Sequence, residues 1–266
     1  MNSQNKQPVV ICADDFGMSP GVNRAIVELV KKGRISAVSV LTHLPDWQQT
    51  LVLAREISGQ VDLGVQLFLS SRSHWKDRQR EIALQVDRFR LALHRHPDFI
   101  CGHHHLHQWP SVQRDVLVQL KKASVPMYTR QTELPEALVS WSLPKTVLIN
   151  WLGKRWKKRV VKNGIPVNDF FAGVYDYENV RTLDHVFAQF RQFARSLKGK
   201  RPIWMVHPGE VDELLVQRDK LVSARQLEYQ VLASDRWAEF MAGSNLEVCR
   251  FFDSSSRNST DFLKFF

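Results

Sequence analysis

Short apolar stretches that alternate with helix-length amphipathic segments most strongly constrain the fold of this chain. Buried strands are expected at residues 9–12, 35–41, 61–69, 99–101, 125–129, 202–206 and 246–251, with a less regular strand at 167–174. Helices are expected at residues 20–32, 46–57, 75–96, 112–120, 145–162, 180–197 and 223–241. This alternation predicts an α/β fold with a parallel sheet, and seven or eight such units predict a single-domain barrel.

The two ends of the chain differ in composition from its centre. Residues 1–7 are polar, so we expect a disordered N-terminus without a signal peptide, and residues 253–266 are expected to form a C-terminal tail. Residues 8–252 show no linker, and we expect them to form the barrel. The three cysteines are too few and too scattered for a disulfide framework, which favours a reducing, cytoplasmic location. The oligomeric state stays open, a homo-oligomer included.

Two adjacent carboxylates, Asp14 and Asp15, follow the first apolar run and precede a glycine turn. Because their charges repel, they need a shared proton or a neighbouring cation. A metal ion with one aspartate as ligand and the other as base would meet that need. An Asx-turn followed by a helix N-terminus is the alternative, and this stretch by itself does not decide between them.

A histidine cluster, His103, His104, His105 and His107, follows the predicted fourth strand. In an extended segment His103, His105 and His107 would point to one side, whereas in a helix His103 and His107 would share a face. Imidazole is the commonest metal ligand, so the cluster indicates a metal or substrate site. A surface run of histidines without function is the alternative.

Two more polar residues follow predicted strands. His207 comes directly after residues 202–206, and Arg130 directly after residues 125–129. At this position a histidine can transfer protons and an arginine can orient a carboxylate or a substrate oxygen. A structural histidine and an ordinary surface arginine are the alternatives.

The chain is basic, with a net charge of +10 and a pI near 9.7. Six of the nine residues at 154–162 are lysine or arginine, and Trp151 and Trp156 lie among or beside them. Such a segment can contact an anionic membrane surface or a nucleic acid, but a solvated helix face is the more common reason. No nucleic-acid recognition motif is present, so no nucleic-acid partner is expected.

Four motifs, in this order along the chain, resemble the YdjC-like carbohydrate deacetylase family. They are ADDFGMSPGVN at residues 13–23, GHHHLH at 102–107, VP with Arg130 at 125–130, and VHPG at 206–209. The resemblance spans residues 8–252. Residues 162–173 are more similar to the hopanoid-associated, HpnK-type branch of the family.

The resemblance implies a distorted (β/α) barrel that removes acetyl from an N-acetylated amino sugar or glycolipid sugar with a divalent metal, magnesium or zinc. It implies that Asp14 is the base, that Asp15 and His103 bind the metal, and that His207 protonates the leaving amine. The expected substrate contacts are Arg130, His105, His107 and Trp109.

Two features depart from the pattern of the family. A histidine usually serves as a further metal ligand where this chain has Gln66, a weaker ligand, and His43 is a candidate replacement. The stretch between Leu69 and Trp75 is shorter than the loop that usually covers the substrate. The alternative function is therefore a weakly active or inactive relative that binds a glycan or lipid-linked sugar.

Overall fold

A curled parallel sheet forms the centre of the computed structural model, which describes residues 6–69, 75–140 and 142–252. Its strands are β1 (Gln7–Phe16), β2 (Ala37–Val40), β3 (Asp62–Leu67), β4 (Phe99–Gly102), β5 (Tyr128–Thr129), β6 (Phe171–Ala172), β7 (Ile203–Val206) and β8 (Leu246–Val248). They are arranged in the order β5-β4-β3-β2-β1-β7-β6, and β8 pairs with the beginning of β1.

Helices pack around this sheet, one after nearly every strand. Among the described residues they are α1 (Pro20–Lys31), α2 (Trp47–Ile57), α3 (Trp75–Leu93), α4 (Gln113–Lys122), α5 (Pro144–Lys162), α6 (Leu183–Ser196), α7 (Glu213–Arg218), α8 (Val222–Ala233) and α9 (Asp235–Gly243). Helix α1 begins where the sequence predicts, because the Ser19 side chain accepts a hydrogen bond from the Val22 amide and Pro20 occupies the first position.

The prediction of an α/β fold with a distorted (β/α) barrel of seven or eight strands in one domain is confirmed. The barrel is irregular because β5 and β6 each have two residues. Within the described residues, a single bridge pair, Thr129 with Val167, connects β5 to the segment that precedes β6.

The prediction of one helix over residues 223–241 is wrong. The chain forms α8 and α9 instead, because the Ser234 hydroxyl accepts a hydrogen bond from the Trp237 amide and starts a new helix. Helix α7 was not predicted, since six residues are too few for a clear helical period. The predicted disordered N-terminus, C-terminal tail and shortened loop after Leu69 lie largely outside the described residues.

Strand β1 determines where the site forms. Ala13 pairs with Val38 of β2 on one side and with Val206 of β7 on the other. The residues that come next, Asp14 and Asp15, lie in an irregularity of β1 before Phe16 pairs with Val40, and they are therefore beside the ends of both neighbouring strands. No helix of the described residues combines the length and the apolarity that a membrane crossing requires.

Candidate active site

Asp14 is held by a buried arginine. Arg130, directly after β5, donates from Nη1 to Asp14 Oδ1 at 2.7 Å and from Nη2 to Oδ2 at 2.6 Å. Both side chains are buried, with 0% of Arg130 and 2% of Asp14 exposed. Ser39 of β2 adds a hydroxyl 2.8 Å from Asp14 Oδ1. The two strand ends thus fix the orientation of the carboxylate, and the guanidinium balances its charge.

Asp15 lies beside Asp14 but points into a different set of partners. Its backbone φ of +68° falls where the pairing register of β1 with β2 shifts, between Ala13 and Phe16. Gln66 Nε2 lies 2.8 Å and His103 Nδ1 lies 3.1 Å from Asp15 Oδ1, whereas Arg225 Nη2 forms an ion pair with Oδ2. Burial by itself raises the pKa of Asp15, but the charge of Arg225 and the hydrogen bond from His103 outweigh it and hold that pKa well below its usual value.

The hydrogens on this side of the site can be assigned from their partners. Asp15 is ionised and accepts only, so His103 must carry its hydrogen on Nδ1. Burial opposes a charge on His103, but the hydrogen bond to Asp15 and the Asp15 charge raise the pKa of His103. His103 therefore acts as a donor to Asp15 in this structure.

The amide of Gln66 has one favourable orientation. Its Oε1 accepts from the Asp15 backbone N–H at 2.8 Å, while its Nε2 donates to Asp15 Oδ1 at 2.8 Å. If the amide were flipped, its NH₂ group would face the backbone N–H of Asp15, and its oxygen would face the Asp15 carboxylate. A buried amide N–H that loses its acceptor costs about 1–3 kcal/mol, so the observed orientation is strongly preferred.

The histidine cluster forms a tight turn, neither extended nor regularly helical. His104 and His105 both have positive φ, 49° and 59°, within the 3₁₀ turn His103–Gln108. Gly102 is required before the turn, because a Cβ there would lie 2.8 Å from the backbone nitrogen of His107. The rings of His103 and His104 lie against each other, with centroids 4.1 Å apart, and among the described hydrogen bonds His103 is the member of the cluster that contacts Asp15.

The other imidazoles of the cluster have separate surroundings. His107 is buried. Its Nε2 lies 2.6 Å from the carbonyl oxygen of Arg130, and its ring packs edge-on against Trp156. His105 packs edge-on against Phe171. Burial lowers the pKa of both, to about 3 for His107, so both are neutral at pH 7. Trp109 is 40% exposed.

His207 follows β7 and lies near both aspartates. Its backbone N–H donates to Glu228 Oε2, and its ring packs edge-on against Tyr177 with centroids 5.4 Å apart. Burial lowers the pKa of His207 to about 4, although the Asp15 charge opposes this shift. Burial also raises the pKa of Glu228 to about 7, and the Tyr175 hydroxyl donates to it at 2.7 Å.

A divalent metal fits this set of residues poorly. Asp15 Oδ1, His103 Nδ1 and Gln66 Nε2 converge, at mutual distances of 2.8, 3.1 and 3.5 Å. His103 can release its Nδ1 hydrogen by changing tautomer, but Gln66 presents N–H groups where a metal needs a lone pair. No group of three or more histidine, cysteine or acidic residues suited to a metal occurs in the described part of the chain.

Arg225 adds a further obstacle to a metal. It already binds the other oxygen of Asp15, so a cation on Oδ1 would face its positive charge across one carboxylate. Because like charges repel, this resident positive charge opposes the binding of a cation.

His43, the suggested replacement ligand, lies beside this triangle. Its ring stacks on Phe68 with centroids 4.4 Å apart, and Phe68 in turn contacts His103. Burial lowers the pKa of His43 to about 4, with the charge of His103 contributing. His43 and Phe68 therefore form an aromatic wall next to the site, and no hydrogen bond of His43 to Asp15 is observed between these described residues.

Sequence reasoning missed four residues at this site: Ser39, Tyr177, Arg225 and Glu228. Arg225 and Glu228 lie three residues apart on α8, on the same face as Val231 and Leu232. Charged residues on the apolar face of a helix are costly unless they are paired, so this pattern was an available signal. Ser39 and Tyr177 gave no comparable signal.

Fold and site together define a class: a distorted (β/α)-barrel protein with paired aspartates, an arginine-bound carboxylate and two histidines at the carboxyl ends of its parallel strands. The chain belongs to the family described as YdjC-like protein, whose model matches residues 8–79 and 67–243. The resemblance predicted from the motifs is therefore confirmed.

Similar proteins extend along most of the chain. A carbohydrate deacetylase of Halalkalibacterium halodurans is 22% identical and covers 87% of this chain and 97% of its own. One from Listeria welshimeri is 23% identical over 92% of this chain and 99% of its own. A solved structure from Enterococcus faecalis, of a protein whose name refers to cellobiose-phosphate cleavage, has a TM-score of 0.71 at 17% identity and covers 92% and 98% of the two chains. That structure supports the fold.

Proposed function

We propose that this protein hydrolyses the amide bond of an N-acetylated amino sugar and releases acetate. Two observations support the proposal. The chain belongs to a family with relatives named carbohydrate deacetylases, which are similar over nearly their whole length. The acid pair and His207 lie together at the carboxyl ends of the strands, where (β/α) barrels place catalytic groups.

Asp14 is the base in this proposal. Its Oδ2 accepts one hydrogen bond, from Arg130, which leaves a lone pair for a water molecule. That water loses a proton to Asp14 while its oxygen bonds to the acetyl carbon, and the C–N bond then breaks. Arg130 orients the carboxylate through its two hydrogen bonds and balances its charge before the reaction.

His207 supplies the proton that the leaving nitrogen needs. Burial lowers the pKa of His207 to about 4, so the imidazole is neutral at pH 7 and must gain a proton before it can donate one. The proton taken from the attacking water is available for this transfer. Acetate and the protonated amine are the products, and atoms and charge balance with one water consumed.

Acetate release tests the proposal. Purified protein is incubated with N-acetylglucosamine oligomers and with an N-acetylated glycolipid sugar, and both acetate and free amine are measured. We expect equal amounts of acetate and newly formed amine from at least one acetylated substrate. Glucosamine oligomers should release no acetate. Folded protein that releases no acetate from any of them would contradict the proposal.

Glycan binding with little or no turnover is a second candidate function, and the orientation of Gln66 favours it. The amide places N–H groups where the family pattern places a metal-ligating histidine. Calorimetric titration separates the two functions. Binding of an acetylated oligomer without acetate release would support the second, whereas turnover would exclude it.

Helix α5 supports a further proposal, a contact with an anionic membrane surface. Leu148, Trp151 and Val161 are 45–50% exposed, and the Arg155 guanidinium lies 4.8 Å from the Trp151 ring centroid. Exposed cationic residues surround them, and we call this surface the basic face: Lys154, Arg155, Lys158, Arg159 and Lys162. Exposed apolar residues beside cations are typical of interfacial helices.

The beginning of helix α5, the end opposite to the basic face, lies close to the site. Lys145, near the beginning of α5, lies 5.1 Å from the ring of Tyr177, which packs against His207. A cytoplasmic protein bound to a membrane through this face would hold the site near the surface. A lipid-linked sugar is the substrate class that such an arrangement suits.

Vesicle sedimentation tests the basic face. We expect binding to phosphatidylglycerol-containing vesicles that falls at raised salt, and none to phosphatidylcholine vesicles. Lys154→Gln with Lys158→Gln should lower the partition coefficient roughly 30-fold, since each lysine contributes about 1 kcal/mol. The matched control replaces two exposed lysines of α4, Lys121→Gln with Lys122→Gln. Equal losses in both pairs would contradict a specific role for α5.

A further inference from the structure

Both carboxylate oxygens of Asp15 already have partners from this chain. Oδ1 receives N–H groups from Gln66 and His103, and Oδ2 pairs with Arg225. The carboxylate is therefore compensated both in charge and in hydrogen bonds without any added cation. A buried carboxylate in that condition has little to gain from a metal.

Arg225 is itself held firmly in place. Its Nε donates to Asp219 Oδ2 at 2.6 Å, and Nη2 lies 2.5 Å from the same oxygen. Only 2% of its side chain is exposed. Asp219 directly follows α7, and Arg225 lies on α8, so the turn between these two helices brings the guanidinium to Asp15. The cation is part of the fold, whereas a surface arginine could swing away.

Gln66 contacts the other carboxylate oxygen of Asp15, Oδ1. The Asp15 backbone N–H fixes the amide oxygen, and this leaves the NH₂ group on the side of Asp15 Oδ1 and His103. A histidine at this position could offer a lone pair there, but the amide nitrogen offers only hydrogens.

We propose that Arg225 and Gln66 together take the place of a divalent cation, so that this chain assembles its Asp15–His103 site without binding a metal. The inference concerns the site of the proposed deacetylase, but it does not require turnover. In the proposed hydrolysis, the positive charge beside Asp15 is that of Arg225, and any acetate release continues after chelation.

Metal binding by the wild-type chain is the first test. Protein treated with EDTA is titrated with Zn²⁺ and with Co²⁺, and the melting temperature and the metal content after gel filtration are measured. We expect no bound metal and no shift in the melting temperature. By comparison, a metal site at a free metal concentration of 100 times its Kd would raise the melting temperature by roughly 5–10 °C. One bound equivalent that Asp15→Asn abolishes would overturn the inference.

A gain-of-binding variant is the second test. Gln66→His combined with Arg225→Met supplies a lone pair and removes the resident charge, so we expect one equivalent of Co²⁺, visible by its absorption, and a rise in melting temperature when metal is added. The matched control, Gln119→His with Arg218→Met, changes a buried glutamine of α4 and the arginine paired with Asp46, neither of which has a described side-chain hydrogen bond to Asp15. Binding by the control alone would overturn the inference; if the double variant does not fold, the wild-type titration decides.

Failure of the inference and failure of the proposed function are distinguishable. Acetate release that stops on chelation and returns with Zn²⁺ overturns the metal-free site and supports the hydrolase. A folded protein that neither binds metal nor releases acetate supports the metal-free site and contradicts the hydrolase.

Discussion

His207→Gln is expected to lower kcat for acetate release roughly 100- to 10,000-fold, the usual contribution of a positioned general acid. KM should change little, because glutamine retains the approximate size of the side chain and leaves Asp14 and Asp15 in place. The melting temperature should also change little, since Nδ1 of His207 has no hydrogen-bond partner among the described residues. Steady-state kinetics on the best acetylated substrate measures the effect.

The control for this variant is His185→Gln, on the exposed side of α6. It makes the same substitution outside the site, so it should retain wild-type kcat. A His207→Gln protein with wild-type kcat would show that another group protonates the leaving nitrogen.

Arg130→Met is expected to lower the free energy of unfolding by about 3–5 kcal/mol, because it leaves the Asp14 carboxylate buried without its partner. For a chain of this size, that corresponds to a fall of roughly 6–20 °C in melting temperature. Denaturant unfolding and thermal unfolding both measure the change. The loss should be smaller in Arg130→Met combined with Asp14→Asn, since that pair removes both charges.

The control for this prediction is Arg236→Met. Arg236 pairs with Asp184 at 2.5 Å, but the two side chains are 57% and 79% exposed. Exposed ion pairs contribute about 0–1 kcal/mol, so the control should remain close to wild-type stability. Equal losses in Arg130→Met and Arg236→Met would contradict the role assigned to the buried pair.

Much of the sheet and part of the site could be predicted from the sequence. Apolar runs placed the strands, and polar residues that follow such runs identified Asp14, Asp15, His103, Arg130 and His207 as strand-end residues. The prediction works because parallel strands bring their carboxyl ends to one edge of the sheet. The roles assigned to these residues stay predictions.

The division of α8 from α9 and the turn of the histidine cluster could not be predicted. Ser234 is one polar residue in a long helical pattern, and its capping bond is visible only when the Trp237 amide is in place. His104 and His105 have positive φ, which residues other than glycine adopt rarely, in a turn that brings the His107 backbone close to Gly102. At Ser234 a local cap ended a longer helical pattern.

The sequence by itself determined the parallel α/β fold, the family and the acid–histidine character of the site. Only the tertiary structure decided how each carboxylate is compensated. Arg130 lies 116 residues from Asp14, and Arg225 lies 210 residues from Asp15, so no local pattern connects them. The direction of the Gln66 amide likewise depends on the backbone N–H of Asp15. Hydrogen-bond direction and charge pairing are properties of atoms brought together by folding, and they determine which chemistry the same residues can perform.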